Sequence, residues 1–298
     1  MNILSIQSHV SFGHVGNSAA VFALQRLGCE VWPIHTVAFS NHPGHGRFAG
    51  RVAEPPEIES LIGGLATLGV LRGCDGVLSG YLGMPRTGPV VLDAIETVRQ
   101  ANPGALYCCD PVLGDRQTGL YVRAGLPEFM RERALPVADI VTPNQFELEY
   151  LSGKSVSTRQ DIVAALARLH DTGPRVILVT SVMTEETPAV AIDVVASERG
   201  AAHLVRTPRL GRGFNGAGDL MAALFLFHYL RSRRAADALG AAAASVFGVL
   251  RRTEEAGTGE LALVAAQDEL VAPSARFAVE RLGSIGPRGR HGRLSAPR

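Results

Sequence analysis

Residues 2–39 read N-I-L-S-I-Q-S-H-V-S-F-G-H-V-G-N-S-A-A-V-F-A-L-Q-R-L-G-C-E-V-W-P-I-H-T-V-A-F, and the fold class is decided within them. Residues 2–7 are an apolar-rich run that suits a buried strand. Asn17 offers a cap for a helix that runs to Leu27 and is ended by Gly28, and residues 31–39 are β-rich again. The same alternation continues downstream. Strands are expected at residues 76–79, 105–109, 139–141 and 175–180, with helices at 57–71, 89–100 and 159–171 between them. Strands separated by helices in this way imply a mainly parallel sheet covered on both faces, an α/β architecture of three layers. Residues 189–196 and 202–205 read as an antiparallel pair. A glycine-rich segment begins at Gly211, and helices are expected at 220–230, 235–250 and 260–270.

The composition narrows what such a sheet can serve. The chain has 298 residues, 46% hydrophobic and 19% charged, enough for a large core and incompatible with disorder. Lys plus Arg is 29 against 28 for Asp plus Glu, and a net charge of +1 leaves no electrostatic footprint for nucleic acid or an anionic membrane. The expected partner is a small molecule. Lys154 is the single lysine, so Schiff-base chemistry would have to use that one amine. Cys29, Cys74, Cys108 and Cys109 show no C-x-x-C spacing, and no secretory leader is read at Met1, so a cytoplasmic location is expected. The longest apolar stretches are too short for a membrane span. Residues 284–298 contain four Arg and no acid; they are expected to be a disordered basic tail behind one domain at residues 1–283.

Three stretches carry chemistry. Residues 211–219, G-R-G-F-N-G-A-G-D, run directly into an apolar helix. Gly216, Ala217 and Gly218 would place backbone N–H groups at a helix N-terminus, where an anion such as phosphate is favoured, with Asp219 able to take a proton from a hydroxyl nearby. The same residues also make an ordinary glycine-rich loop with a first-turn carboxylate. After the strand at 139–141 comes T-P-N-Q-F-E, residues 142–147. Asn144 and Glu147 share a helix face and suit a water-mediated hold on Mg²⁺, but locally they read more readily as a capping box. Residues 108–115, C-C-D-P-V-L-G-D, end a strand, so Asp110 and Asp115 either face a metal-nucleotide outside the sheet or build a turn. Cys108 and Cys109 point to opposite faces and read as core fillers.

Other signals fail on spacing. Gly153-Lys154-Ser155 imitates the end of a P-loop, but the required earlier glycine is Leu148. Gly13 and Gly16 do not complete G-x-G-x-x-G, and no acidic residue follows the second strand. His9, His14, His35, His42 and His45 form no H-x-x-x-H pair on a predicted helix, and zinc is not expected.

Taken together, S-H-V-S-F-G-H-V-G-N-S-A-A (8–20), V-A-F-S-N-H (37–42), S-G-Y-L-G (79–83), C-D-P-V-L-G-D (109–115), T-P-N-Q-F-E-L-E (142–149) and G-A-G-D (216–219) resemble the pyridoxal kinases of the ribokinase-like superfamily, over residues 1–282. The resemblance implies a ribokinase-like three-layer sandwich and a homodimer, with ATP as co-substrate and Mg²⁺ as cofactor. It implies Asp219 as base, with Gly216, Ala217 and Gly218 as the anion hole, and Ser8, Tyr81, His42 and Pro43 on the substrate side. Asp110, Thr142, Asn144, Glu147, Thr180, Ser181, Thr207, Leu210 and Gly216 fall on the nucleotide side. Asp110 and Glu147 match magnesium positions, and Asp115, Thr142 and Thr180 match a monovalent-cation site such as one for K⁺. Where the family usually has a threonine after S-N-H, this chain has Pro43, which lacks a hydroxyl and an N–H. The implied activity is phosphorylation of the 5′-hydroxyl of pyridoxal, with pyridoxine and pyridoxamine as further candidates. A kinase of hydroxymethylpyrimidine or another heterocycle, and a non-catalytic pyridoxal phosphate-binding protein, are the alternatives.

Overall fold

Ile3, Leu4 and Ile6 are fully buried, as a strand covered on both faces requires. They lie on β1 (Asn2–Phe12), in the interior of a ten-stranded sheet. The computed structural model describes residues 1–198 and 200–285. On one side of β1 lie β2 (Glu30–Asn41) and β3 (Gly50–Val52). On the other lie β4 (Gly76–Ser79) and β5 (Leu106–Cys109), while β6 (Gly114–Asp115) and β7 (Gly119–Leu120) leave the sheet as a separate hairpin. The sheet continues through β8 (Ile140–Val141), β9 (Val176–Val182), β10 (Ala191–Glu198), β11 (Ala201–Pro208) and β12 (Val279–Ser284). Pairing is parallel from β2 to β9 and antiparallel at β3 and from β10 outward. Because β1 pairs with β2 on one side and β4 on the other, the direction of strand addition reverses between β1 and β4. Open α/β sheets bind ligands outside the strand ends at such a point.

Helices cover both faces. They are α1 (Asn17–Arg26), α2 (Pro55–Leu68), α3 (Thr87–Ala101), α4 (Leu126–Phe129), α5 (Gln145–Ser152), α6 (Arg159–His170), α7 (Ala217–Ser232), α8 (Ala235–Ala256) and α9 (Asp268–Val271). Leu4 and Ile6 face the core built with α2 to α6, and Ile3 faces the core built with α1, α7, α8 and α9. The same alternation sends Cys109 to the first core and Cys108 to the second, the core-filling role expected of them. Burial pushes the Cys109 thiol up to about 12. α7 is apolar nearly all round because it is buried from Leu220 to Phe227, wedged between α1 and α8. No helix among the described residues is long and apolar enough to cross a membrane.

Several boundaries differ from the sequence reading for identifiable reasons. Asn17 is not the cap of α1; Gly16 holds that position with φ 54°. The Asn17 side chain instead reaches into the sheet, accepting from Ser5 Oγ at 2.7 Å and donating to the Ile34 carbonyl at 3.0 Å. The helix expected at 260–270 shrinks to α9, since Leu261 and Leu263 are buried in the core while Glu260 between them and Gly259 serves another contact described below. β12 escaped notice because its V-E-R-L-G-S is mostly exposed and charged, with no alternation to read. Ser284, assigned above to the tail, closes β12 opposite Ala201, and the Ile285 N–H donates to the Gly200 carbonyl at 2.6 Å. The rest of the expected tail, 286–298, lies outside the described residues.

Candidate active site

The α7 end of the cleft is shaped by two glycines. Gly216 caps α7 in the left-handed region, φ 84°, and a Cβ there would stand 1.8 Å from the His14 carbonyl oxygen. Only glycine lets the 13–16 loop approach this closely. A Cβ on Gly218 would meet nothing within 4 Å, so one side of the turn is open. The first N–H groups of a helix lack intrahelical partners; that of Ala217 makes a long 3.3 Å contact to the Phe214 carbonyl. The glycine-rich turn is therefore a tight loop whose Gly218 side is open.

Asp219 sits in the first turn of α7 and is joined to the opposite wall. Burial raises its carboxyl above the usual range, opposed by an N–H from Gly16 and by the nearby His42. The raised pKa makes Asp219 a stronger base once ionised. Ser8 is close by: a Cβ on Gly16 would lie 2.3 Å from the Ser8 backbone oxygen and Oγ. The β1–β2 register slips between Gln7 and His9, so the irregularity falls on Ser8, a common way to re-aim a side chain at a site.

Across the cleft, Asp110 follows β5 and is buried, its Oδ1 accepting from the Thr142 hydroxyl at 3.1 Å. Burial, then the charges of Glu147 and Asp219, push its carboxyl well above the usual range. Glu147 is raised to about 7 by burial, held down by N–H groups of Asn144, Leu113 and Gly114. Its Oε1 accepts from Leu113 at 2.7 Å and Gly114 at 3.3 Å, and its Oε2 from Asn144 at 2.8 Å. Asn144 Oδ1 accepts in return from the Glu147 N–H at 3.0 Å, and Asn144 Nδ2 donates to the Gly114 carbonyl at 2.7 Å. The capping box is real, and it does more than cap α5, because it also fixes the turn that follows Asp110. Asp115 builds the β6–β7 turn, its Oδ1 accepting from Gln117 and Thr118 at 2.8 Å each. Among the described residues, no group of three His, Cys, Asp or Glu side chains converges closely enough to hold a metal directly.

The structure brings Asn144 beside Thr180 through an isolated parallel bridge, and Ser181 next to it adopts a left-handed backbone, φ 55°. Thr207 lies on β11, three strands from β8, and Leu210 follows that strand, so both stand apart from the carboxylate cluster. Tyr81 is half-buried after β4, its hydroxyl raised by burial, and its carbonyl accepts from Thr36 Oγ1 at 2.5 Å. His42 caps a short turn at Pro43–His45, its Nδ1 accepting from the Gly44 N–H at 3.1 Å. Pro43 opens that turn and is exposed. Burial lowers the His42 imidazole, and Asp219 and Glu260 oppose this. Two residues here were absent from the sequence reading. Tyr121, just past the hairpin, keeps 51% of its surface exposed while its hydroxyl lies in the field of Glu147, Asp110, Asp219 and Asp115. Glu260 is the other. Neither sits in a motif, and nothing short of the folded chain brings them to the cleft.

With this geometry in place, the family model described as phosphomethylpyrimidine kinase matches residues 76–263. That span holds Asp110, Glu147 and Asp219 but omits Ser8, His42 and Pro43. Curated relatives cover those as well. A pyridoxal kinase of Granulibacter bethesdensis is 53% identical over 281 residues, 93% of this chain and 98% of the relative. One of Rubrobacter xylanophilus is 52% identical over 283 residues, 95% and 98%. The chain belongs to the pyridoxal kinase family. Pyridoxal kinase from Leishmania donovani, solved with ADP and pyridoxamine, superposes with a TM-score of 0.87 at 30% identity over 94% of this chain and 99% of that one. The pyridoxal kinase fold, a ribokinase-like sandwich, is thus spanned nearly end to end.

Proposed function

We propose that this chain transfers a phosphoryl group from ATP to the 5′-hydroxyl of pyridoxal, giving pyridoxal 5′-phosphate. The observation that carries the reading is the placement of Asp219. It stands at the N-terminus of α7, between the Gly216–Gly218 cradle and the Gly16 N–H and within the field of His42. Full-length likeness to pyridoxal kinases, and a structural neighbour holding ADP and pyridoxamine, support the same substrates here. Phosphoryl transfer asks chiefly for alignment and for neutralising charge on the transferred group. Asp219 takes the hydroxyl proton, the N–H groups at the start of α7 face the phosphate, and Ser8, Tyr81 and His42 form the ring wall.

The donor set opposite suits a hard cation. Asp110 and Glu147 are buried carboxyls; the charges of Glu147 and Asp219 add to burial in raising Asp110, and that of Asp115 adds to burial in raising Glu147, a repulsion a cation relieves. We assign Mg²⁺ to them through water, since Glu147 already spends its oxygens on backbone N–H groups. When bound, Mg²⁺ would neutralise charge on the phosphoryl group in transfer. Asn144, Thr180, Ser181, Thr207 and Leu210 make up the nucleotide side of the proposal. Asp115, Thr142 and Thr180 are assigned to a monovalent cation such as K⁺. A homodimer and a cytoplasmic location belong to the same proposal, the latter supported by four buried cysteines that are all free. The match to the phosphomethylpyrimidine kinase model favours a second reading, a pyrimidine heterocycle as acceptor. ADP release with Mg²⁺-ATP across pyridoxal, pyridoxine, pyridoxamine, hydroxymethylpyrimidine and ribose tests both. Pyridoxal should give the highest kcat/KM; hydroxymethylpyrimidine in first place would select the second reading, and no turnover with any would leave a binding protein.

A further inference from the structure

Glu260 lies more than 40 residues from any motif of the site, yet it touches two of its loops. Its Oε1 is 2.6 Å from His45 Nε2, in the turn that carries His42 and Pro43. Its Oε2 accepts from the His14 N–H at 3.2 Å, in the loop that carries Gly16. The same carboxylate lies against Gly13: a Cβ there would stand 2.1 Å from Oε2 and would have to push it aside. The Glu260 side chain is only 11% exposed although it bridges two surface loops. Its own segment is fastened in turn to the glycine-rich stretch. Arg212 donates to the Thr258 carbonyl, the Thr258 hydroxyl donates to the Glu260 carbonyl at 2.8 Å, and Leu261 packs where a Cβ on Gly216 would stand.

We propose that Glu260 is a positioning residue for phosphoryl transfer. It holds the 42–45 turn against the 13–16 loop, and so sets the distance between the substrate wall and the Gly16 N–H that steadies Asp219. The proposal rests on the kinase reading above. Both contacts lie on the acceptor side of the cleft, so loss of the carboxylate should be felt by pyridoxal and not by ATP. In Glu260→Gln the amide oxygen can still accept from the His14 N–H, and the amide nitrogen can donate to His45 Nε2 in the tautomer that leaves this nitrogen an acceptor.

The test measures KM for each substrate, kcat, melting temperature and amide exchange in Glu260→Ala, Glu260→Gln, His45→Ala and the double variant Glu260→Ala/His45→Ala. Loss of two hydrogen bonds made by a side chain only 11% exposed predicts a rise of about tenfold in the pyridoxal KM of Glu260→Ala. The ATP KM should stay within about twofold and kcat should fall several-fold. Glu260→Gln should recover most of the loss, the double variant should be no worse than Glu260→Ala, and exchange at residues 42–46 and at His14 should quicken. Equal rises in both KM values, no recovery with Gln, or additive losses in the double variant would overturn the proposal. If Glu260→Ala does not fold, His45→Ala on its exposed turn decides: a raised pyridoxal KM supports the proposal and unchanged constants refute it. A parent chain that turns over no substrate would instead fail the kinase reading, while the exchange measurement still reports on the latch.

Discussion

Replacing Gly216 by alanine should disable the enzyme without unfolding it, and the size of the effect follows from the geometry. The added Cβ would lie 1.8 Å from the His14 carbonyl oxygen where ordinary contact begins at 3.4 Å, so the 13–16 loop and the start of α7 must part by about 1.6 Å. That loop carries the Gly16 N–H held by Asp219. A misplacement of about 1 Å in a reacting constellation can cost about 10²-fold in rate, so kcat should fall by at least that factor. Forcing a residue with a Cβ into φ 84° adds about 1–2 kcal/mol of strain. In a chain of this length that lowers Tm by roughly 2–4 °C. Coupled ADP release and a thermal melt read the two effects separately. Gly218→Ala is the companion measurement, because a Cβ there meets nothing within 4 Å. It should keep its Tm, and any loss of turnover then marks the open side of the turn as the phosphate side. A Gly216→Ala enzyme whose kcat stays within about threefold of the parent would refute the claim that this contact sets the site.

The remaining predictions concern charge, the terminus and the substrate wall. Asp219→Asn should cost about 10² to 10⁴ in kcat with both substrates still bound, and near-full turnover would remove Asp219 from the role of base. Glu147, raised to about 7, is protonated in the folded protein at pH values where the unfolded chain has lost that proton. Stability should therefore fall as pH rises from the ordinary carboxylate range through about 7, and Glu147→Gln, fixed neutral, should gain in Tm relative to the parent between pH 5 and pH 8. A difference that does not change with pH would show an ordinary carboxylate. A stop after Ile285 should leave Tm and turnover unchanged, whereas a stop before Val279 removes β12 from β11 and should lower Tm. Pro43→Thr should lower the pyridoxal KM by up to about tenfold if the new hydroxyl gains one hydrogen bond to the ring. The exposed position of Pro43 and its fit to the first residue of the turn oppose this, and an unchanged KM would place the ring away from position 43.

What could be read without coordinates was whatever rests on local pattern. β4 was found to the residue because a four-residue apolar run between helices leaves no choice, and Gly216 to Asp219 announced themselves by composition alone. The dual nature of Asn144 and Glu147 was visible as two alternatives, but their partners at Leu113 and Gly114 lie about thirty residues away and carry no side-chain signal. Asn17 shows the same limit in reverse. Its identity suggested a cap, and its actual bonds to Ser5 and Ile34 exist only once β1 and β2 are side by side. Asp219 was recognised while its environment was not, because a pKa depends on what encloses the group. Glu260 and Tyr121 were missed for the same reason.

The order of strands in the sheet has a consequence for synthesis on the ribosome. After β1, β2 and β3 extend the sheet toward one edge, and every later strand adds next to one already made, from β4 on β1 to β12 on β11. No strand of the ten has to wait for a partner that has not yet been translated. The layers do not share this property. The face built on Ile3, Leu78, Cys108 and Ile140 has only α1 over it until α7 and α8, beginning at residue 217, leave the exit tunnel. For most of translation the nascent chain therefore shows a growing apolar sheet face to its surroundings. Transient exposure of such a surface is what chaperones bind and what drives aggregation. A stalled or truncated product ending before residue 217 would be a sheet with one side covered by α1 alone.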